Sequence, residues 1–326
     1  MKKSLLVIIS LAACLTLPRE KVWPQTPVRM GITSASFGHA PYYVAKDMGF
    51  FKREGLDTEV IVMNRDDLTL QALVADSIHF GVIPPNLILN VRQRGLTNIK
   101  MIAGSFNGTT YSLIALPKYK KLEDLKGSRL AVSSLTAGST LMMMYVLKQR
   151  GLIYPRDYNV INAGGSTTRW VALQSKQVDA AILAEPLSVI AVDQGFSNVG
   201  DAYKLLPDYQ LSGVTANEEW VGKNRDIAIR FLKAMLATYK WLHENRDEAI
   251  AALPKIMKVN KQYVPGSWEV YTKFQIWPKD GKVNIKGVRT VLEILQEAGT
   301  FKKPLPRAED MIDHTYLEEA HKALGY

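Results

Sequence analysis

The feature that most constrains the fold is an internal echo at an offset of 100 residues. Residues 30–51, MGITSASFGHAPYYVAKDMGFF, read as a strand (Val28–Ile32), a small-residue loop (Thr33–Gly38) and a helix from His39 to Asp47 stopped by Gly49. Residues 130–151, LAVSSLTAGSTLMMMYVLKQRG, repeat that order of strand, Ser/Thr/Gly loop and glycine-stopped helix. The register then runs on without a gap. Ser34 and Gly38 align with Ser134 and Gly138, and Asp57, Val60 and Ile61 with Asp157, Val160 and Ile161. Ala72-Leu73 align with Ala172-Leu173, and Leu87, Gly95 and Asn98 with Leu187, Gly195 and Asn198. A period this long does not describe a solenoid. It describes two similar α/β lobes.

Short strands alternate with helices through both halves, which predicts mainly parallel sheets covered on both faces. Two extended runs, Tyr111–Leu116 and Gln210–Ala216, read as crossings between the lobes. They divide the chain into a first lobe of residues 27–112 plus 217–326 and a second of residues 113–216, a hinge-closing clamp. Beyond the second crossing only helices are expected: Asp226–Glu244, Asp247–Met257, a segment around Tyr263–Phe274, Val288–Ala298 and Ala308–Leu324. Their spacing suits packing on the first lobe rather than chemistry. Asp66 or Asp67 is expected to cap the helix after the second strand.

Residues 1–26 read as an export signal and tether. Lys2-Lys3 precede an apolar core, Leu5–Leu17, too short to span a bilayer. Leu11-Ala12-Ala13-Cys14 is similar to the lipobox of bacterial lipoproteins, so the expected periplasmic protein is either released or anchored through Cys14. Cys14 is the sole cysteine, which leaves the mature fold without an internal disulfide or thiol chemistry.

Charge and motifs narrow the function classes. The 41 Lys+Arg against 31 Asp+Glu give a formal net charge of +10, but the basic residues are scattered. With no zinc-finger spacing or aromatic RNP-like strand, the balance suits a protein that attracts anions, with no nucleic-acid partner expected. Histidines 39, 79, 243, 314 and 321 show no close metal-ligand spacing. There is no GxSxG, Walker A or helix-opening GxGxxG, and the Ser36/His39 pair lacks a visible orienting carboxylate. No catalytic residue, metal or cofactor is therefore expected.

In open α/β sheets a ligand sits beyond the carboxyl ends of the strands, against helix N-termini. The residues so placed are Ser34, Ser36, Phe37, Gly38, His39 and Tyr42; Pro85 and Asn86; Asn107 and Thr109; Thr136, Gly138, Ser139 and Thr140; Ser166, Thr167 and Arg169; and Glu185. Helix starts at His39–Pro41 and Ser139–Leu141 would aim free N–H groups into the cleft, favouring an anionic or strongly polar group. Ser139 and Thr167 read equally well as simple caps. Arg169 is either a bidentate partner for a carboxylate or sulfonate or a surface arginine. Glu185 either accepts from a ligand amine or holds the hinge. Of the nearby aromatics Phe37, Tyr42, Tyr43, Tyr111 and Trp170, two are expected to stack on a ligand and the rest to belong to the core.

The runs SFGHAPYYVAKDMGFFKREGLDTEV (residues 36–60), LTLQALVADSIHFGVIPPN (68–86), KLEDLKGSRLAV (121–132) and DAAILAEP (179–186) resemble the solute-binding proteins of bacterial ABC importers. The subgroup is the NMT1/THI5-like one, which serves sulfonates, taurine, nitrate-type anions and the thiamine pyrimidine precursor. The likeness covers Val28 to Ala216 strongly and the helical tail loosely. It implies an α/β, periplasmic-binding-protein-like (type II) fold, two Rossmann-like lobes joined by two crossings with the ligand in the interlobe cleft. It further implies capture of a small molecule in the cleft. A monomer is expected, and the polar loops with flanking aromatics suit a small polar or anionic organic molecule (sulfonate, carboxylated aromatic or pyrimidine-like). That molecule would pass to a membrane permease and its ATPase. The family's ligand loops fall on Ser34–Tyr43, Pro84–Asn86, Asn107–Thr109, Thr136–Thr140, Gly165–Arg169 and Glu185. His79 departs from the pattern, since the family often has Asp there. The Cys-rich, His-bearing motif of the yeast pyrimidine synthases is absent. Two other readings stay open: an enzyme on the same scaffold acting on a small carboxylate, and a ligand-sensing subunit of a membrane receptor.

Overall fold

The structure is a computed structural model that describes residues 25–135, 137–299, 301 and 304–325. The leader through residue 24, with Cys14, lies outside the described residues. The first lobe runs β1 (Thr26–Ile32), α1 (Ala40–Asp47), α2 (Phe50–Arg53), β2 (Leu56–Val62), α3 (Asp66–Val74), β3 (Phe80–Ile83), α4 (Pro85–Gln93) and β4 (Ile99–Phe106). The second runs β5 (Tyr111–Ala115), β6 (Arg129–Val132), α5 (Gly138–Gln149), β7 (Asn159–Asn162), α6 (Ser166–Gln174), β8 (Ala180–Ala184), α7 (Leu187–Asp193), β9 (Ser197–Asp201) and α8 (Ala202–Leu205). The chain returns through β10 (Ser212–Asn217) and ends in α9 (Glu218–Lys223), α10 (Arg225–Glu244), α11 (Arg246–Met257), α12 (Val264–Lys273), α13 (Ile285–Glu297) and α14 (Thr315–Leu324).

The sequence echo is a structural one. The two five-stranded sheets have orders β2-β1-β3-β10-β4 and β7-β6-β8-β5-β9, matching position for position. Parallel registers repeat at the same offset, Arg29 opposite Glu59 and Arg129 opposite Asn159, Met30 opposite Phe80 and Leu130 opposite Ala180. One local device recurs too. The Arg29 guanidinium reaches the Asp76 carbonyl at 3.2 Å and that of Arg129 reaches the Lys176 carbonyl at 3.1 Å, both acceptors in left-handed turns. Arg129 also pairs with Asp179 at 2.9 Å, whereas its counterpart Arg29 meets His79. The His79 ring lies flat on Trp220, with centroids 4.5 Å apart, so the first lobe exchanges an ion pair for a stacking contact.

Each crossing ends in a strand belonging to the next lobe's sheet. β5 lies antiparallel between β8 and β9, and β10 antiparallel between β3 and β4. Sheet membership therefore changes at Tyr111 and at Ser212, a few residues from the divisions read at 113 and 217. An extended apolar run does not announce which sheet will pair with it. Other details differ from the sequence reading. The N-cap of α3 is Arg65, with Asp66 and Asp67 in the first turn and no side-chain cap bond. The segment read as a helix from Ala308 to Leu324 divides into a 3-10 turn (Ala308–Met311) and α14, with Ile312 bridging to Met101.

The tail is not confined to the first lobe. Helices α10, α11, α12 and α14 bury Phe231, Leu242, Leu253, Tyr271 and Leu317 in a core shared with α1 and β1. Helix α13 instead places Val288, Leu292 and Leu295 in a core that runs through Ile88 of α4 to Met142 and Met143 of α5. One hydrophobic cluster thus spans both lobes.

Candidate functional site

The loop after β1 enters the cleft under tight constraint. A Cβ on Gly38 would lie 2.1 Å from a Phe106 ring carbon and 2.9 Å from the Tyr271 hydroxyl, so only glycine fits. The Gly38 carbonyl accepts from the Trp277 indole N–H at 2.9 Å. Phe37 stacks on Trp277 at 5.7 Å and Tyr42 donates to Ser105 at 2.7 Å, both wholly inside the first lobe. Trp170 packs edge-on to Phe196, and Tyr43 packs against the first-lobe core. Of the five aromatics considered, only Tyr111 stands at the cleft among polar groups; the others serve the cores. His39 is buried with Nδ1 3.0 Å from the Ser36 hydroxyl, and burial lowers its pKa to about 3, so its ring is neutral.

The second lobe supplies the charge. Arg169 lies one turn into α6 and is 2 % exposed. Its Nη1 donates to the Gly164 carbonyl at 3.1 Å and its Nη2 to the Ser166 hydroxyl at 2.8 Å. Ser166 is itself held by the Ala184 N–H at 3.2 Å. The Arg169 Nε has no partner, and among the described residues no carboxylate pairs with the guanidinium, whose pKa burial pulls down. The Tyr111 hydroxyl lies beside Arg169 and Ser139 and within electrostatic reach of Asp66. Burial raises Asp66 to about 6, with the Thr33 hydroxyl partly opposing the shift. The helix starts of the two lobes close on each other at Gly138, whose carbonyl accepts from Tyr209 at 3.0 Å and whose Cα faces the Asn86 amide.

Glu185, just past β8, is 6 % exposed, and burial raises its carboxyl to about 8. The Ser267 hydroxyl of α12 lies beside it. On the next turn of α12, Tyr271 shares a 2.8 Å hydrogen bond with Thr110, while Thr109 accepts from the Tyr111 N–H at 3.2 Å. Buried polar atoms are nearly always paired, and leaving one unpaired costs about 1–3 kcal/mol. Half of the unpartnered buried atoms among the described residues lie on these elements: His39 Nε2, Thr140 Oγ1, Arg169 Nε, Glu185 Oε2 and Ser267 Oγ.

The remaining candidates fall elsewhere. Asn107 points out of the cleft, donating to the Lys282 carbonyl at 2.6 Å, and lines a surface cavity of about 740 Å³ with Leu236, Lys240, Lys279 and His321. Ser34 is exposed on the loop after β1 and Thr167 in the first turn of α6, Pro85 is buried at the start of α4, and Thr136 lies outside the described residues. Sequence reasoning missed Ser267 and Tyr271, and took Asp66 only for a cap. No local pattern links α12 to Glu185, which lies 82 positions before Ser267. Among the described residues no group of His, Cys, Asp and Glu could hold a metal, and no helix is long and apolar enough to cross a membrane.

Two duplicated lobes, two crossings and a polar cleft between strand ends define the periplasmic-binding-protein fold. The chain belongs to the NMT1/THI5-like family, whose sequence model matches residues 36–249. It is 31% identical over 187 residues to a Brucella abortus (strain 2308) chain named as a candidate binding protein, covering 57% of this chain and 56% of that one. The chain thus spans a little over half the length of the curated relatives it matches first. Among solved structures it is similar to the periplasmic nitrate-binding protein NrtA from Synechocystis PCC 6803, with TM-score 0.77, 17% identity and coverage of 92% and 89% of the two chains. It is also similar to the aliphatic sulphonate binding protein SsuA from Escherichia coli, with TM-score 0.69, 17% identity and coverage of 90% and 99%. Family and fold agree with what the residues led us to expect.

Proposed function

We propose that this chain is the ligand-binding component of an ABC importer, capturing a small organic anion in the interlobe cleft and presenting it to a permease and its ATPase. One observation carries the reading. Arg169 is a buried guanidinium with no acidic partner among the described residues, its Nε unpartnered, in the first turn of α6 beside Tyr111. A buried charge is costly unless paired, so an anion that reaches it is strongly favoured. The N-termini of α5 and α6 add their free N–H groups to the same field. The names of the relatives point the same way.

The lobes supply the transport step. A ligand touching Arg169 and Ser139 on one side and the Ser36–His39 loop on the other binds the closed form better than the open one, and only that difference shifts the equilibrium. The Ser36–His39 pair suits this role rather than catalysis, because among the described residues no carboxylate is bonded to the imidazole and Nε2 is unpartnered. Delivery in the periplasm follows from the expected leader. Titration calorimetry with short alkanesulfonates and carboxylates tests the reading. Arg169→Ala should lose about thirtyfold or more in affinity, the usual effect of removing one member of a buried charge pair. Equal binding by the variant and the parent protein would remove the anion site from the cleft.

A further inference from the structure

Two crossings carry the chain between the lobes, and one buried side chain is tied to both. The Gln210 Nε2 donates to the Phe106 carbonyl at 3.2 Å, where β4 leads into the first crossing. It also donates to the Ser212 carbonyl at 2.7 Å, where the second crossing enters β10. The Leu211 N–H reaches the same Phe106 oxygen at 3.0 Å. The Gln210 Oε1 accepts from the Asn284 N–H of the tail at 2.8 Å. Beside it, the Tyr209 hydroxyl donates to the Gly138 carbonyl at the cleft end of α5, at 3.0 Å. One carboxamide thus joins three separate stretches of chain, with every polar atom of a buried group satisfied.

Asn284 is also the N-cap of α13, its Oδ1 accepting from the Gly287 N–H at 2.9 Å, so the tail meets Gln210 at the start of the helix that packs on both lobes. The preceding residue, Val283, is buried and donates its N–H at 3.1 Å to Nε2 of His314, the N-cap residue of α14. Two more tail histidines hold the same loop. His243 Nε2 meets the Trp277 carbonyl and His321 Nε2 the Asp280 carbonyl, both at 2.8 Å. Their chemistry separates them. A carbonyl only accepts, so His243 and His321 present an N–H there, which both the neutral and the charged ring can supply. A backbone N–H only donates, so His314 offers a bare ring nitrogen, which an imidazolium lacks.

We propose that Gln210 is the pivot about which the lobes close and that His314 is an acid-released catch on it. Neutral, the ring holds Val283 and, through the adjacent Asn284, keeps the tail on the pivot. Protonated, it drops the Val283 N–H, and the tail loosens from both crossings. The surroundings favour the neutral, holding form. Burial and then Lys282 lower the His314 pKa, against Glu318, Asp280 and Asp313. The positive end of α14 also opposes a charge at its N-cap. Two of the carboxylates are already engaged, Asp280 by the Lys282 N–H at 3.0 Å and Asp313 by the Thr315 N–H at 2.9 Å. Because the held ring has the lower pKa, the catch is at full strength above about 6.5 and weakens as pH falls below that value. Its effect on ligand rests on the cleft reading above: closure then has to order a looser pivot, so affinity falls in acid.

Hydrogen exchange of the ligand-free protein, corrected for the intrinsic effect of pH, tests the catch. Between pH 7.5 and 5 the parent protein should lose about tenfold in protection at residues 104–108, 208–213 and 282–288, the stretches that meet at Gln210. His314→Gln, whose carboxamide oxygen accepts at either pH, should keep its protection at pH 5. His314→Lys should have lost it already at pH 7.5. Gln210→Met, similar in length but without the bonds, should loosen all three stretches at both pH values, and His243→Gln should leave the pH step unchanged. An equal step in the parent and in His314→Gln would overturn the catch. A step confined to residues 282–288 would overturn its tie to the pivot. Calorimetry with short alkanesulfonates at the same two pH values reads the effect on ligand. For any that binds, affinity should fall about tenfold further in the parent than in His314→Gln, the cleft carboxyls being common to both. Equal falls would overturn that effect. Binding of no sulfonate at either pH would count against the cleft reading and leave the exchange result to decide the catch.

Discussion

Glu185 also leaves a mark on folding that can be read without any ligand. Its carboxyl is raised from an ordinary 4.5 to about 8 by burial. Between those values the native state holds a proton that the unfolded chain has released, so its contribution to stability falls as pH rises through that window and levels off above it. Asp66, raised to about 6, behaves likewise over a narrower range, while His39, depressed to about 3, loses its contribution as pH falls below 6.5. The clean quantity is the difference between Glu185→Gln and the parent protein. Urea midpoints at pH 5, 7 and 9 should show the variant gaining on the parent as pH rises, and parallel curves would mean that the carboxyl is not desolvated. Arg169 and Glu185 were both legible as candidates, Glu185 because it directly follows β8 and Arg169 because it lies in the first turn of the helix that follows β7. Their being unpaired was not legible, since charge compensation depends on what the other lobe brings near.

Helix α13 is the element whose placement decides how the lobes meet. Gly287 presses on the return crossing, where a Cβ would lie 2.6 Å from the Gln210 nitrogen and 2.7 Å from the Tyr209 carbonyl carbon. Both neighbours are backbone, so the helix itself must shift. Gly287→Ala should cost about 1–3 kcal/mol, the range for overpacking a tight contact, and should weaken ligand binding as well. Gly222 in α9 is the matched control, with nothing within 4 Å of its Cβ position. There alanine should stabilise by about 0.5–1 kcal/mol through helix propensity. Chemical denaturation of the two variants side by side checks the pair, and a neutral Gly287→Ala would contradict the seating described. The helix was visible in the sequence from its apolar spacing. Its bridging role was not, because an amphipathic stripe does not say which surface will cover it.

For the whole molecule the shared core predicts cooperativity. Leu70 and Ile88 of the first lobe, Leu113 and Met142 of the second and Val288 of the tail belong to one buried cluster. Opening either lobe's part exposes the other, so scanning calorimetry should give a single transition despite the two-lobed form. Two resolved transitions would show that the lobes are energetically separate. A cleft ligand at 100 times its dissociation constant should raise that one transition by about 2.7 kcal/mol of added stability.

The amino-acid sequence by itself determined the duplication, the alternation of strands and helices, the hydroxyl-rich turns after the strands and the absence of familiar catalytic motifs. All of these are written in local period and residue type. Only the tertiary structure decided that β5 and β10 enter sheets on the far side of their crossings and that Phe37 and Tyr42 turn into the core. It alone placed α12 against Glu185 and closed α13 over both lobes. Those outcomes depend on which surfaces meet across long stretches of chain, and a contact between distant residues leaves no periodic trace near either of them.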